Sequence, residues 1–550
     1  MITQLLEWAR QPRHESLLSV VAGVLLVGAF APFGIWPLAL VALAGAFWLW
    51  RGHGPRRAFW LGWLFGLGSF GAGTYWLYVS LHVFGGVPLA LAIVLMAALV
   101  CFLSLYPAVI AALAAKFAPA AGWRRELLLL PALWGFGEWF RGWFLTGFPW
   151  LSVGYSQIDG PLAGLAPVVG IYGLGFLLAL TAGLIIRFFD LHHRARLPMA
   201  AAVLALGLVG FLAGKVQWTE AVGEPARAAL LQGSVPQDRK WDPAEREPTI
   251  RLYENLTQAH WDEADVIIWP EAALPVLYHQ VRNSVIEPLR AEAADRNTEL
   301  LMGILSREGD VFYNNIYQLH EGGRFYRKHQ LVPFGEFFPV PDFVRNWMRM
   351  MNLPYSDFER GGLDQEPLTI GGHPVGASIC YEDVFPRVIR PPLPEATLLV
   401  NVSNDAWFGE SIAPHQHLEI ARMRSLESGR EMLRATNTGV SAIIDHQGRV
   451  RERLPQFETD ALVGEFQHRE GATPFVLTGN WINVPVFLLL IGLGVWLGRV
   501  RGKGQSFCCR SGFIRDRGSV KALIADESAP TTAYSRASAR ASASMRRTTD

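Results

Sequence analysis

VGASICYED, residues 375–383, carries a run of small and apolar residues into a single cysteine, Cys380, which a tyrosine and two acids follow. Continuous apolar runs of this length are typical of strands buried on both faces of a sheet. Four comparable runs lie between residues 226 and 403: ARAALLQG (226–233), ADVIIWPE (264–271), ELLMGILS (299–306) and ATLLVNVS (396–403). Two intervening segments, 277–297 and 414–435, have helical periodicity. The pattern predicts an α/β domain over residues 216–475 with polar residues at its strand ends, where open α/β sheets bind ligands.

Three residues whose side chains could take part in catalysis lie at or beyond the ends of apolar runs. Glu271 closes VIIWPE, Lys328 lies in FYRKHQLVPFGE, and Cys380 closes VGASIC. Each has an ordinary explanation when taken singly: a glutamate that caps a helix, a lysine in a basic surface patch, and a cysteine that packs as a small hydrophobe. Together with NVSNDAWFG (401–409), which ends the following strand, they form a far more specific pattern.

Cys380 has unfavourable neighbours for a nucleophile. A cysteine reacts as its thiolate, and nearby carboxylates raise the pKa of a thiol. Glu382 and Asp383 follow it almost directly in the sequence. Cys380 is therefore either an inert buried thiol or a nucleophile that residues distant in the sequence activate.

The composition of the chain indicates a membrane protein. Only 18% of its 550 residues are charged, below the roughly 25% of an average soluble domain. Four segments contain no Asp, Glu, Lys or Arg, namely 16–50, 83–115, 161–186 and 471–498. A bilayer span needs about 20 such residues. We therefore predict an integral membrane protein; the alternative is a set of buried core helices.

The apolar segments divide into eight predicted spans. The first long segment is interrupted by APFGIWP (31–37), whose prolines and glycine predict a tight turn. The predicted spans are residues 16–31, 36–50, 58–81, 87–115, 125–141, 161–188, 198–215 and 476–498. This divides the chain into seven spans within residues 1–215, the α/β domain, and one further span within residues 476–500.

The distribution of basic residues predicts the orientation of the spans. Lys and Arg concentrate in the connections 51–57, 116–125 and 187–196, whereas the alternate connections 31–37 and 82–86 contain none. Basic connections remain in the cytoplasm. Both termini are then cytoplasmic, and the α/β domain lies outside, which is the periplasm of a bacterium with two membranes. The Ser-, Ala- and Arg-rich residues 501–550 are expected to form a disordered cytoplasmic tail.

WPE, YRKHQLVPFGE and CYED, in this order within one domain, resemble the nitrilase superfamily. That resemblance implies an αββα sandwich and a Glu–Lys–Cys triad, with Glu271 as general base, Lys328 as the triad lysine and Cys380 as nucleophile. The predicted spans around the domain narrow the resemblance to the apolipoprotein N-acyltransferase family. Other stretches that look like this family are GFPWL (147–151), GYSQIDGPL (154–162), QGSVPQDRKWDP (232–243) and NVSNDAWFG.

The resemblance also implies roles for five further residues. Glu336 matches a second glutamate that supports the site, and Tyr381 and Glu382 match neighbours of the nucleophile that are needed for activity. Trp241 and Trp150 match aromatic residues near a lipid entrance, although a tryptophan close to a bilayer is often only an interfacial anchor. No metal and no cofactor are expected, and the sequence contains no GxxxxGK[ST] nucleotide loop.

The function implied by the resemblance is acyl transfer at the bacterial inner membrane. A fatty acyl chain passes from a phospholipid, through a thioester on Cys380, to the N-terminal amine of the diacylglyceryl-cysteine of an apolipoprotein. The expected partners are therefore the phospholipid donor, the diacylated apolipoprotein and the bilayer, and the protein is expected to be a monomer. A net charge of +1 gives no indication of nucleic-acid binding.

Two alternatives remain open from the residues alone. A membrane-tethered amidase of the nitrilase type would have the same triad and would hydrolyse its thioester with water. A transporter or scaffold with a degenerate nitrilase-like domain would explain the spans, but Glu271, Lys328 and Cys380 are all intact. The scarcity of ionisable residues in the spans also disfavours a transport path.

Overall fold

The computed structural model describes residues 8–190, 193–319, 323–337 and 358–515. The chain divides into one unit that ends at Trp496 and a second unit that begins at Leu497. The described part of the second unit is the continuation of the last helix, Asn483–Arg515. Residues 516–550, most of the tail for which disorder is predicted, lie outside the described residues.

Helices coincide with each of the eight predicted spans in the described chain. Prolines at the first helical positions, where a missing N–H costs nothing, begin several of them. Before the α/β domain the α-helices are Pro12–Val27, Pro37–Leu49, Pro55–Gly73, Leu89–Leu103, Leu105–Phe117, Leu130–Arg141, Ala166–Asp190 and His193–Ala213. Shorter helical turns at Val79–Phe84, Arg124–Leu129, Phe144–Thr146, Val153–Gln157 and Ala163–Leu165 join them.

Four helices within the described residues are long and apolar enough to cross a bilayer. They are Leu89–Phe117, Ala163–Asp190, Arg196–Ala213 and Asn483–Val500, where the first combines two consecutive helices. Several large apolar side chains of the last two point away from the protein, and Leu204 and Leu489 are 73% and 70% exposed. Water would penalise such a surface, whereas lipid would not. The number of eight spans stays a prediction.

Two six-stranded sheets form the α/β domain of the described chain. The first has the order β12-β1-β2-β3-β4-β5 and the second the order β11-β10-β9-β8-β7-β6. Their strands are β1 Thr219–Gln232, β2 Val266–Trp269, β3 Glu299–Glu308, β4 Val311–Gln318, β5 Arg324–Arg327, β6 Leu368–Ile370, β7 His373–Ile379, β8 Leu398–Ser403, β9 Met432–Thr436, β10 Ala442–Ile444, β11 Val450–Arg453 and β12 Asp460–Gly471. In each sheet the three central strands, β1–β3 or β7–β9, run parallel, so their polar ends meet at one edge.

The two sheets pack face to face between layers of helices. Leu230 and Ile268 of the first sheet share an apolar cluster with Ile379 and Val400 of the second. The outer face of the first sheet lies against the helices Arg246–His260 and Glu287–Arg296, and that of the second against Ala413–Ser428. Burial on both faces explains why the strands appear as continuous apolar runs in the sequence. The predicted αββα sandwich is confirmed.

The helix predicted over residues 414–435 is too long. The observed helix ends at Ser428, and Gly429 adopts a left-handed conformation with φ of 67° that closes it. Residues 432–436 then form β9. The helical prediction for residues 277–297 holds, but that segment is broken into Tyr278–Val281, a wider turn Arg282–Ile286, and Glu287–Arg296.

Gly303 of β3 allows the chain that leaves β2 to pass very close. A Cβ atom at this position would lie 2.0 Å from the carbonyl oxygen of Pro270 and 2.8 Å from Cα of Glu271. We predict that Gly303→Ala lowers the apparent Tm of the protein in detergent, with a cost of about 1–3 kcal/mol that is typical of overpacking. Gly362→Ala is the control, because its nearest neighbour would be an ordinary 3.9 Å away. Equal melting temperatures for the two variants would contradict this account of the β2–β3 packing.

Candidate active site

Glu271 and Lys328 meet at one end of the first sheet. Glu271 follows β2 and Lys328 follows β5, and Nζ of the lysine lies 3.0 Å from Oε1 of the glutamate. Both side chains are buried. Cys380 begins the short turn Cys380–Val384 directly after β7 of the facing sheet. Glu382 of this same turn accepts hydrogen bonds from the backbone N–H groups of His329 and Gln330, which follow Lys328 directly, so the turn of Cys380 adjoins the segment that carries Lys328.

The carboxylate of Glu271 is held ionised by donors at both oxygens. Oε1 accepts hydrogen bonds from Lys328 Nζ and, at 2.7 Å, from Nδ2 of Asn314. Oε2 accepts from the backbone N–H of Asn404 at 2.8 Å. Burial alone would raise the pKa of Glu271, but the charge of Lys328 and these hydrogen bonds outweigh it, and the net pKa is lowered. Glu271 is therefore available as a proton acceptor at neutral pH.

Lys328 lies between two carboxylates. Its Nζ donates to Oε1 of Glu336 at 2.9 Å, and Oε2 of Glu336 accepts from the backbone N–H of Val332 at 2.8 Å. Burial would lower the pKa of Lys328, but Glu271, Glu336 and Cys380 together raise it well above its usual value. The site thus contains a permanent ammonium, fixed from two sides.

Cys380 is held in a strained conformation and is protonated at rest. Its φ of 51° is in the left-handed region, which is rare for a non-glycine residue and is concentrated at functional sites. Burial raises the pKa of its thiol well above the usual value, Glu271 and Asp405 raise it further, and Lys328 opposes them. A thiol in this state needs a base at the moment of attack.

Glu382 forms hydrogen bonds with two segments of the site. Its two oxygens accept from the backbone N–H groups of His329, Gln330 and Ile379 at 2.6, 2.9 and 2.7 Å, and from the hydroxyl of Tyr326 at 2.9 Å. It therefore ties the segment that carries Lys328 to the strand that carries Cys380. Burial raises the pKa of Glu382 to about 7, although the backbone donors oppose the shift. The largest carboxylate contributions to the pKa of Cys380 come from residues distant in the sequence and not from its two acidic neighbours.

Asp383 belongs to a buried ion cluster that sequence reasoning missed. Oδ1 of Asp383 lies 2.9 Å from Nε2 of His417, and Oδ2 lies 3.0 Å from Arg434. Asp405 bonds the same two partners, at 2.9 Å to His417 Nδ1 and 3.1 Å to Arg434. Asp405 falls in NVSNDAWFG, a motif that the sequence singles out, but nothing in the sequence pairs it with residues 383, 417 and 434.

The aromatic residues predicted near a lipid entrance differ in their surroundings. Trp241 is 50% exposed. Trp150 is buried, and its indole Nε1 donates to Oε1 of Gln416 at 2.7 Å. The hydroxyl of Tyr381 donates to the backbone carbonyl of Gly147 at 3.3 Å. The loop that contains Gly147 and Trp150 therefore reaches the turn Cys380–Val384.

Three more polar residues interact with Glu271 and were not predicted: Asn314 and Asn404 through hydrogen bonds, and Lys240 through its charge. Asn404 lies in NVSNDAWFG, so its motif was a signal, whereas Asn314 in β4 has no distinguishing pattern around it. Lys240 lies in QGSVPQDRKWDP and is buried, and its Nζ has no hydrogen-bond partner among the residues described by the structure. Burial lowers the pKa of Lys240 to about 8, and the charge of Glu271 opposes the shift.

The arrangement of a carboxylate, an ammonium and a thiol suits covalent acyl chemistry. A carboxylate held ionised can accept the thiol proton, and an ammonium can donate to the oxyanion that forms at an attacked carbonyl. The thiol supplies the nucleophile. These are the three roles that an acyl-transfer site requires.

Comparison with known proteins identifies the family. A family model described as the apolipoprotein N-acyltransferase N-terminal domain matches residues 22–184, and a carbon-nitrogen hydrolase model matches residues 227–475. The chain is 44% identical to an apolipoprotein N-acyltransferase of Methylococcus capsulatus over 87% of this chain and 95% of that one. It is 42% identical to one of Pseudomonas putida over 90% and 99% of the two chains, and 43% identical to one of Nitrosomonas europaea over 86% and 95%. The chain belongs to the apolipoprotein N-acyltransferase family.

Proposed function

We propose that this chain transfers a fatty acyl chain from a phospholipid to the N-terminal amine of the diacylglyceryl-cysteine of apolipoproteins. The observation that carries the proposal is its similarity, over most of its length, to relatives named apolipoprotein N-acyltransferase. The geometry around Glu271, Lys328 and Cys380 supports the same chemistry. The membrane-tethered hydrolase, which the triad alone leaves open, is not favoured by these relatives.

In the first half-reaction Sγ of Cys380 attacks the carbonyl carbon of a phospholipid ester. The thiol proton passes to Glu271 as the C–S bond forms, and Lys328 donates a hydrogen bond to the oxyanion. The ester C–O bond then breaks, and Glu271 returns the proton to the departing alkoxide of the lysophospholipid. An acyl thioester on Cys380 remains.

In the second half-reaction the amine of the apolipoprotein attacks the thioester carbonyl. The C–N bond forms and the C–S bond breaks, while Glu271 takes a proton from the amine and passes it to the sulfur of Cys380. An amide is more stable than a thioester, so the step runs downhill without ATP. Glu336 supports both steps by holding Lys328 in place and charged, and Glu382 by joining Lys328 to the nucleophile's strand.

The membrane setting follows from the substrates. Extracting an acyl chain from a bilayer costs about 0.8 kcal/mol per CH₂, which is prohibitive for a whole lipid. We propose that seven spans within residues 1–215 and one within 476–500 fix the domain 216–475 at the periplasmic face of the inner membrane. The termini and the tail 501–550 are then cytoplasmic, and the protein is a monomer. In this arrangement the loop that contains Trp150, together with the exposed Trp241, lines the path of the lipid to Cys380.

The first prediction from the proposed function concerns the triad. Purified wild-type protein should transfer radiolabelled acyl chains from phospholipid to a synthetic diacylglyceryl-cysteine peptide. Cys380→Ala should lower the rate by roughly 10⁴-fold or more, because the covalent nucleophile is lost. Lys328→Met should lower it by about 10²–10³-fold, the usual effect of removing one oxyanion donor. Cys101→Ala and Lys215→Met are matched controls; substantial transfer by Cys380→Ala, with the controls active, would refute the assignment.

The second prediction concerns orientation. In a variant whose Cys101, Cys508 and Cys509 are replaced by serine, Asp310→Cys places a fully exposed thiol on the α/β domain. A membrane-impermeant maleimide should label this position in intact cells with a permeabilised outer membrane. Arg56→Cys should be labelled only after the inner membrane is lysed, because its connection is basic. The reverse pattern of labelling would contradict the proposed orientation.

A further inference from the structure

Trp150 lies in the loop 142–152, here called the membrane-proximal loop, and connects it to the helix Ala413–Ser428 of the α/β domain. Its indole ring lies against the imidazole of His417, with ring centroids 5.6 Å apart, and its Nε1 bonds the neighbouring Gln416. The loop is fixed from behind, because Arg141 donates to the backbone carbonyls of Phe148 and Trp150 at 2.6 Å each. A shift of this loop would therefore move a ring that is in contact with His417.

His417 in turn contacts the turn of the nucleophile. Its Nε2 lies 2.9 Å from Oδ1 of Asp383 and 3.3 Å from the backbone carbonyl oxygen of Cys380. Cys380 and Asp383 belong to the same short turn. One imidazole edge thus holds two points of the turn that sets the direction of the thiol.

The charges around His417 strengthen its contacts with the turn Cys380–Val384. Asp383 and Asp405 carry two negative charges against the positive charges of Arg434 and a protonated His417, and all four side chains are buried. Burial and Arg434 would lower the pKa of His417, but the two aspartates raise it to about 9. At neutral pH both ring nitrogens therefore donate, Nδ1 to Asp405 and Nε2 towards Asp383 and Cys380. A hydroxyl group also joins the cluster, since Ser403 donates to Asp405 at 2.7 Å.

We propose that His417 is a positioning residue that couples Trp150 to Cys380, so that the packing of the membrane-proximal loop sets the reactivity of the nucleophile. The inference rests on the proposed function, in which acyl donors reach Cys380 along that loop. An acyl chain that binds against this loop would therefore shift Trp150 and, through the imidazole of His417, change the orientation of the Cys380 thiol. Coupling of this kind is measured as non-additivity between substitutions at Trp150 and His417.

The test measures reaction of Cys380 with a small ester that needs no lipid site. Full-length protein in detergent is mixed with p-nitrophenyl acetate. Sγ of Cys380 bonds to the acetyl carbon while the thiol proton passes to Glu271, the ester C–O bond breaks, and p-nitrophenolate leaves. The burst of p-nitrophenolate gives the acylation rate. Trp150→Phe removes the bond to Gln416 and part of the ring contact, and it should slow the burst about fivefold, well within what misplacement of a reacting group can cost. His417→Gln should slow the burst roughly tenfold. If the two effects were independent, the burst of the double variant would be slowed by the product of the two factors. We expect the double variant to react at least about threefold faster than that, as is usual for residues in contact.

The control is Trp261→Phe, which removes a buried indole from the other side of the first sheet. Its burst should match that of the wild type. If the melting temperature shows that His417→Gln does not fold, the burst rates of Trp150→Phe and Trp261→Phe are compared on their own, and a slower burst in Trp150→Phe supports the coupling. An unchanged burst in Trp150→Phe, or strictly multiplicative effects in the double variant, would overturn the coupling and leave the proposed function standing. A wild-type protein with no burst from Cys380 would overturn both.

Discussion

The site depends on one buried cation, the ammonium of Lys328. It lies within 3.0 Å of the carboxylates of Glu271 and Glu336, in a position from which water is almost excluded. Without it, two carboxylates would be left close together with little solvent, which is strongly unfavourable. With it, Glu271 remains a base and the thiol of Cys380 has a positive charge to oppose its carboxylate neighbours. The ion pair of Lys328 and Glu271 fixes the position of the carboxylate. The backbone conformation of Cys380 and the hydrogen bonds of Glu382 then hold the thiol and Lys328 in place around it.

The sandwich brings these groups together because both sheets end at the same place. β2 and β5 of one sheet deliver Glu271 and Lys328, and β7 of the other delivers Cys380. The helix Ala413–Ser428 covers the second sheet and contacts the helical part of the chain that precedes the α/β domain. Two of its buried carboxylates accept backbone N–H groups there, Glu427 from Ile171 at 2.7 Å and Glu419 from Ala31 at 3.2 Å. The helix layer over the second sheet is thus hydrogen-bonded directly to the apolar first part of the chain.

The sequence alone predicted those features that depend on local pattern. Apolar runs that end in polar residues located the strands, and the motifs around Glu271, Lys328 and Cys380 located the candidate site. Features that depend on contacts between distant residues were not predictable in this way. Nothing near Asp383 indicates that its charge is matched by His417 and Arg434, and the acids next to Cys380 in the sequence give no sign that burial and Glu271 have larger effects on the pKa of its thiol. The helix that was extended to residue 435 failed for a local reason, a single glycine whose conformation the periodicity does not register.

The central claim is that Cys380 carries the acyl group between two lipid substrates. The most direct measurement is mass spectrometry of the purified protein after incubation with phospholipid and no acceptor. The account predicts a fatty-acyl adduct on the peptide that contains Cys380, which is sensitive to hydroxylamine and discharged by a diacylglyceryl-cysteine peptide much faster than by water. An adduct on another residue, no adduct in protein that transfers acyl chains, or discharge by water at the rate seen with the peptide would contradict it.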